Sequence, residues 1–308
     1  MCYRITSVFV EQNCTECDFA GADSWVILSP IEQSIKKKIE AIGRPLKDWD
    51  INIYRGVLTG FNEAFIISTD KRNEILDNCL SDDERKRTEE LIRPILRGRD
   101  IKRYGYDWAN LWLIATFPSR HYDIEEYPAV KEYLLSFGMQ RLEQTGKSYN
   151  VGATTVKARK KTNNRWYETQ DSISYWEDFQ KPKILWKRIG SILRFCYTET
   201  ELLGLDSTCF LTGSMTEYLC CILNSKMGHY LLKDAPKTGT GDLLISVQAI
   251  EPLRIPIISE TENNAFKKLI NDMHQYASHG VEDLILDKIF NLYQLSDNEK
   301  NYIVTMFS

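Results

Sequence analysis

The sequence has no apolar run approaching the roughly 20 residues needed to cross a bilayer. It also lacks a basic-then-apolar leader, because Glu11, Glu16 and Asp18 interrupt its first stretch. Both absences point to a cytoplasmic chain with no membrane partner. The four histidines, His121, His229, His274 and His279, fall in no metal-ligand spacing. Among eight cysteines only Cys14 and Cys17 form a C-x-x-C pair, and no second pair or histidine pair completes a zinc site. Most of the cysteines lie in apolar surroundings, as small buried hydrophobes do in a reducing compartment. There is no excess of positive charge either. With 39 Lys and Arg against 43 Asp and Glu, the net charge is −4, and composition alone makes no case for nucleic acid.

Catalytic signatures are missing as well. No Pro-Pro dipeptide occurs, so the N/D-P-P-Y/F/W motif of amino-group DNA methylation is absent. No Pro-Asp dipeptide occurs, which removes the usual P-D…E-x-K nuclease site, and Glu84-Arg85-Lys86 reads as a chance match on a charged helix. A G-x-S-x-G nucleophile elbow and both phosphate-loop spacings, G-x-x-x-x-G-K-[ST] and G-x-G-x-x-G, are also absent. These absences leave a non-catalytic chain, or one whose scattered Ser, His and Asp meet only in space.

What is present is an uneven distribution of charge. From Lys147 to Tyr167 there is no acid, while Lys147, Lys157, Arg159, Lys160, Lys161 and Arg165 are basic. From Gln180 to Tyr197 the same holds, with Lys181, Lys183, Lys187, Arg188 and Arg194. The last third is acidic. A phosphate backbone needs only such a local patch. The most pointed stretch is Leu96 to Trp108, with Arg97, Arg99, Lys102 and Arg103 between Gly98 and Gly105 and beside Tyr104, Tyr106 and Trp108. Its cations can reach phosphates or a guanine edge, with Arg99 and Arg103 the foremost candidates and Asp100 either orienting a guanidinium or accepting turn amides. The alternative for the whole stretch is an ordinary turn whose aromatics pack inside.

Local signals outline the elements. Ser29 and Pro30 open a helix with Ile31, Ile35, Ile39 and Ile42 on one face, ended by Gly43 and Pro45. Ile51 to Tyr54 and Ala64 to Ile67 read as a hairpin with a glycine-rich tip that offers Arg55, Thr59 and Asn62. Ser81 to Glu84 is a capping box for a helix running to Pro94, and Leu111 to Thr116 is a buried strand. Pro128 opens a helix with Val130, Tyr133, Leu134 and Phe137. The acid-free segment reads as a long mobile loop, offering Lys157, Arg159, Lys160 and Lys161 together with Asn163, Asn164 and Arg165. Lys183 to Arg188, Ile192 to Tyr197 and Cys209 to Leu211 are strand candidates, the first carrying Lys187 and Arg188. Ser214 to Glu217 reads as a capping box for the helix Tyr218 to Leu223, and Lys237 to Gly241 as a flexible basic loop offering Lys237. Ser259 to Glu262 and Ser296 to Glu299 are further capping boxes in a helical tail.

Several blocks, in order, carry a resemblance. They are Trp25 to Leu28, the helix to Pro45-Leu46, Gly56 to Phe65, Ile95 to Tyr104, Arg165 to Glu168, Phe179 to Ile184, Tyr218 to Lys226 and Asn291 to Glu299. Together they resemble the C-terminal part of type IIG restriction–modification enzymes, which carries the TaqI-like specificity, or target recognition, domain. The resemblance implies an α+β fold, a mixed or antiparallel-sheet recognition domain over 1–255 and a helical tail over 256–308. It implies sequence-specific binding of double-stranded DNA. S-adenosylmethionine and Mg would enter only through a DNA methyltransferase subunit or domain elsewhere, and this chain would hold no cofactor or metal. An assembly subunit whose basic patches bind acidic proteins, and a nuclease with a degenerate site, are the rival readings.

Overall fold

The computed structural model describes residues 28–276 and 279–307. The Trp25–Ile27 run and the Cys14 and Cys17 pair lie outside them. The architecture is α+β, with antiparallel and mixed sheets flanked by helices. The central sheet contains β1 (Ile51–Arg55), and the second sheet contains β2 (Ile66–Ser68), β3 (Ile92–Leu96) and β4 (Leu111–Ile114). An isolated hairpin follows, β5 (Ser148–Val151) and β6 (Thr154–Lys157). The chain then supplies β7 (Lys183–Lys187), β8 (Phe195–Thr198), β9 (Leu203–Gly204) and β10 (Thr208–Gly213). The central sheet runs β8-β7-β10-β1, antiparallel throughout, and the second runs β9-β3-β4-β2, with β9 parallel to β3.

Strands β7, β8 and β10 of the central sheet are buried at successive positions because both faces are covered, while the edge strand β1 exposes Asn52 and Arg55. Ile184, Trp186, Phe195, Tyr197 and Leu211 face one core. Leu185, Cys196 and Phe210 face the other, with the second sheet. Helix α1 (Pro30–Ile42) begins in a complete capping box of Ser29 and Glu32 and buries Ile35 in the first core. Helix α2 (Thr216–Asn224) lies in that core along its whole length. The tail adds α3 (Glu260–Tyr276), α4 (His279–Leu292) and α5 (Asp297–Met306), whose Ile270, Ile285, Ile289, Phe290 and Ile303 fill the same core. Glu299 caps α5 and also takes Ser34 and Lys38 of α1.

Four local expectations change. First, β1 and β2 are not a hairpin, because they lie in different sheets and Asn62–Phe65 between them is helical. The Gly56 amide donates to Thr208 O, the Val57 amide donates to Gly204 O, and a Cβ on Gly56 would sit 2.1 Å from Leu205 O. The chain crosses between sheets at a contact that only glycine permits. Second, the helix expected to stop at Pro94 ends at Leu91, and Pro94 lies in β3 opposite Trp112. The short β9 pairs only with Ile95 and Leu96, so the missing Pro94 amide costs no ladder bond on that side. Third, Ser81 caps its helix, but Glu84 is buried and accepts the Leu80 and Ala129 amides instead. Fourth, α2 starts after Met215 at φ +56 with no side-chain cap, because Glu217 is turned inward to the Tyr197 hydroxyl and Asn263. No helix among the described residues is long and apolar enough to cross a membrane.

Candidate nucleic-acid interface

The Gly98 to Tyr104 turn sorts its cations into three fates. Arg97 is held by Asp100 through Nε at 3.0 Å and Nη2 at 2.7 Å, while the Arg97 amide donates to the same carboxylate at 2.8 Å. Asp100 therefore both orients a guanidinium and caps the turn, but the guanidinium is that of Arg97, not Arg99 or Arg103. Burial pushes the Asp100 carboxyl up, and Arg97 outweighs it to leave the group below its ordinary value. Arg103 pairs with Glu282 at 2.8 Å and donates to Asn224 O at 3.0 Å, which ties the turn to the tail. Lys102 pairs with Asp107 at 3.1 Å. Arg99 is exposed. Tyr104, not Gly105, takes the left-handed φ of +67, and its amide and carbonyl bond to Phe195 and Tyr197 at the edge of β8. Gly98 is required because a Cβ there would lie 2.8 Å from Lys187 Cγ.

That close approach brings Lys187 beside the loop of Arg99. The Asp206-Ser207 turn joins them. Gly98 N donates to Ser207 Oγ at 3.2 Å, Arg188 N donates to Ser207 O at 3.0 Å, and the Arg55 guanidinium lies 3.6 Å from the Asp206 carboxylate. Arg55, the Lys187-Arg188 pair and the Gly98 loop that bears Arg99, three segments far apart in sequence, thus adjoin one turn. Arg188 Nε is buried without a hydrogen-bond partner among the described residues. Two extensions continue the patch. Gly190 pairs with Leu243, and Leu243 bridges to Lys237, whose expected flexible loop is a tight turn closed by Thr238 N to Asp242 O at 2.8 Å. On the other side Asp171 lies within the field of both Arg55 and Lys160. Burial raises its carboxyl, and the Leu58 amide and these two cations pull it back.

The acid-free segment is not a long loop. Its first part is the β5–β6 hairpin, and its second part is fastened by Arg159. This side chain is 2 % exposed and lies over the Phe65 ring. It donates to Leu142 O at 2.8 Å, Thr59 O at 3.2 Å, Glu168 O at 2.8 Å and Trp166 O at 2.6 Å. Burial lowers its pKa to about 10, and Glu168 works against that. The expectation of an exposed Arg159 is corrected: its donors are spent on carbonyls, and these bonds hold the loop. Thr59 is likewise buried, donating to Asn62 Oδ1 at 2.6 Å and accepting from Phe61 N. Asn164 donates to Thr169 O and Gln170 O, and Arg165 donates to the Tyr167 hydroxyl. Lys157, Lys160, Lys161, Asn163 and Asn62 are exposed. Asp206 and Ser207 did not stand out in the sequence, although a polar pair between Leu205 and the Cys209–Leu211 run is a turn signal. Among the described residues, no group of three or more His, Cys, Asp or Glu is placed to hold a metal ion.

Both the basic turn and the strand that ends at Lys187, with the bend at Arg188, fall inside residues 93–257, which match the family described as the TaqI-like C-terminal specificity domain. The chain belongs to that family. The fold agrees with two solved structures. One is the type IIL restriction-modification enzyme MmeI in complex with DNA, with TM-score 0.52 and 10 % identity, over 86 % of this chain and 36 % of that one. The other is the type IIG restriction endonuclease BpuSI, with TM-score 0.52 and 13 % identity, over 89 % of this chain and 32 % of that one. The chain spans about a third of the length of each. No curated protein matches it. In this specificity-domain chain, the helices Glu260–Tyr276, His279–Leu292 and Asp297–Met306 lie beyond the matched residues and share the first core.

Proposed function

We propose that this chain is the DNA target-recognition part of a cytoplasmic restriction–modification system. It grips duplex phosphates through Lys160, Arg55, Lys187, Arg188, Arg99 and Lys237. Methyl transfer or cleavage would be supplied by another part of the enzyme or a DNA methyltransferase partner, since the sequence carries no catalytic signature for either. The observation that carries the reading is the convergence of Arg55, the Arg99 loop, Lys187 and Arg188 on the Asp206-Ser207 turn, all but Arg55 within the matched specificity domain. Arg97, Arg103, Arg159 and Thr59 drop out of the proposed contact set, because their polar groups are closely engaged internally, whereas Arg55 stays because its contacts with Asp206 are long, 3.4 and 3.6 Å, and leave it exposed.

The test is duplex binding as a function of salt. Each lost phosphate contact should make the log–log slope shallower by roughly 0.9. Lys187→Ala and Lys160→Ala should weaken binding to every duplex alike, with the thermal midpoint unchanged. A binding strength indifferent to salt would refute the reading. The purified chain, given S-adenosylmethionine and duplex, should transfer no methyl group; transfer would refute the division of labour.

A further inference from the structure

The β5–β6 hairpin carries more than positive charge. It pairs Ser148 with Lys157, Tyr149 with Val156, Asn150 with Thr155 and Val151 with Thr154, around Gly152 at φ +60. Directly opposed residues share a face. One face therefore carries Tyr149, Val156, Val151 and Thr154. It is tied to the body by the Tyr149 hydroxyl, which donates to Glu143 at 2.6 Å and meets Thr145 at 3.1 Å. The opposite face carries Ser148, Lys157, Asn150 and Thr155, all exposed, with only hydrogen-bonding and cationic groups.

Charge and size point to one occupant. No acid lies between Lys147 and Tyr167 in the sequence; Lys147 and Lys157 sit at the base of the ribbon and Lys161 packs beside Gly146 next to it, with Glu143 engaged by the Tyr149 hydroxyl on the other face. Strands about 4.8 Å apart and rising about 3.3 Å per residue make a ribbon that fits a major groove roughly 12 Å wide and 8.5 Å deep. At its centre Thr155 Oγ1 donates to Asn150 Oδ1 at 3.2 Å, which fixes the plane of the carboxamide. The second Oδ1 lone pair and the Nδ2 protons remain, and this acceptor–donor pair matches N6 and N7 of adenine. Building on the DNA-recognition reading above, we infer that the β5–β6 ribbon enters the major groove, where Asn150 reads an adenine and Thr155 positions it.

The test uses the whole chain. Duplexes are selected from a random-sequence pool by the wild type, Asn150→Ala, Thr155→Val and Lys157→Ala, and the preferred and unrelated duplexes are then titrated. Asn150→Ala should lose roughly tenfold to a hundredfold at the preferred duplex and its preference for adenine at one position. Its affinity for unrelated duplexes, salt slope and thermal midpoint should be unchanged. Thr155→Val should show a smaller loss at the same position, and Lys157→Ala a uniform loss with a shallower slope. If the wild type selects a sequence and folded Asn150→Ala selects the same one, the ribbon assignment falls alone. If the wild type binds no duplex, or binds poly-glutamate better than any duplex, the recognition reading falls with it.

Discussion

Replacing Arg159 by alanine separates architecture from contact. The guanidinium satisfies four backbone carbonyls, those of Leu142, Thr59, Glu168 and Trp166. Hydrogen bonds from a charged donor contribute about 1.5–3 kcal/mol each, and they are not additive when one group makes all four. Truncation also takes the guanidinium donor from the Leu142 and Trp166 carbonyls, while Thr59 O keeps the Gln170 amide and Glu168 O the Gln144 carboxamide. A loss of about 3–5 kcal/mol is expected, a large share of the roughly 5–15 kcal/mol that holds a typical domain. In a thermal melt that is a fall of roughly 5–10 °C. Arg159→Lys should recover part of it, since an ammonium has three donors on a shorter reach. Below the lowered midpoint, binding should weaken for all duplexes while the salt slope stays that of the wild type, because no phosphate contact is removed. Lys160→Ala, one residue along, should do the reverse, with an intact midpoint and a shallower slope. An unchanged midpoint for Arg159→Ala, or a slope reduced by a full phosphate contact in a stable variant, would refute the buried-anchor assignment.

Further outcomes follow from other buried groups. Burial raises the Glu299 carboxyl, but Lys38, the Ser296 amide and Ser34 together bring it down to about 2. Its stabilisation, on the order of 2–3 kcal/mol, is present above the unfolded value of 4.5 and is lost as the pH falls toward 2. Glu299→Gln should therefore be less stable in urea at pH 6 and converge on the wild type near pH 2. Lys183 is buried with its ammonium on Phe179 O, Lys181 O and Thr200 O, and burial lowers its pKa to about 8 from 10.5. Between those values the unfolded chain holds a proton that the folded chain has released, so stability should rise with pH across that window. Lys183→Met should show no such rise. Gly56→Ala should cost more than about 2 kcal/mol, because its Cβ would meet the Leu205 carbonyl at 2.1 Å, and an unaltered melt would contradict the sheet crossing. Arg103→Ala should lower the midpoint, since it unties the turn from Glu282 and Asn224, and should leave sequence preference untouched.

Signals confined to a few residues were legible from the chain alone. Ser29 is the expected N-cap and Ser296 with Glu299 the expected capping box, Lys183–Lys187 and Thr208–Gly213 are strands where the apolar runs place them, and the run from Ile192 becomes a strand only at Phe195–Thr198. A hydrogen bond across one helical turn, or a strand buried on both faces, is written in neighbouring letters. Which cation is free is not. Arg97, Arg99, Arg103 and Arg159 look alike in one dimension, yet one is clamped by Asp100, one is exposed, one is tied to the tail and one is buried. The partners that decide this for Arg103 and Arg159 include carbonyls 121 and 100 residues away. The same holds for Gly56, whose neighbour across the sheet crossing is the Leu205 carbonyl. Sequence by itself determined the fold class, most of its elements and a surplus of cations in the middle of the chain. Tertiary structure decided which of those cations remain for a ligand, because a guanidinium goes wherever unpaired carbonyls or carboxylates are buried within its reach, and only the packed chain creates those.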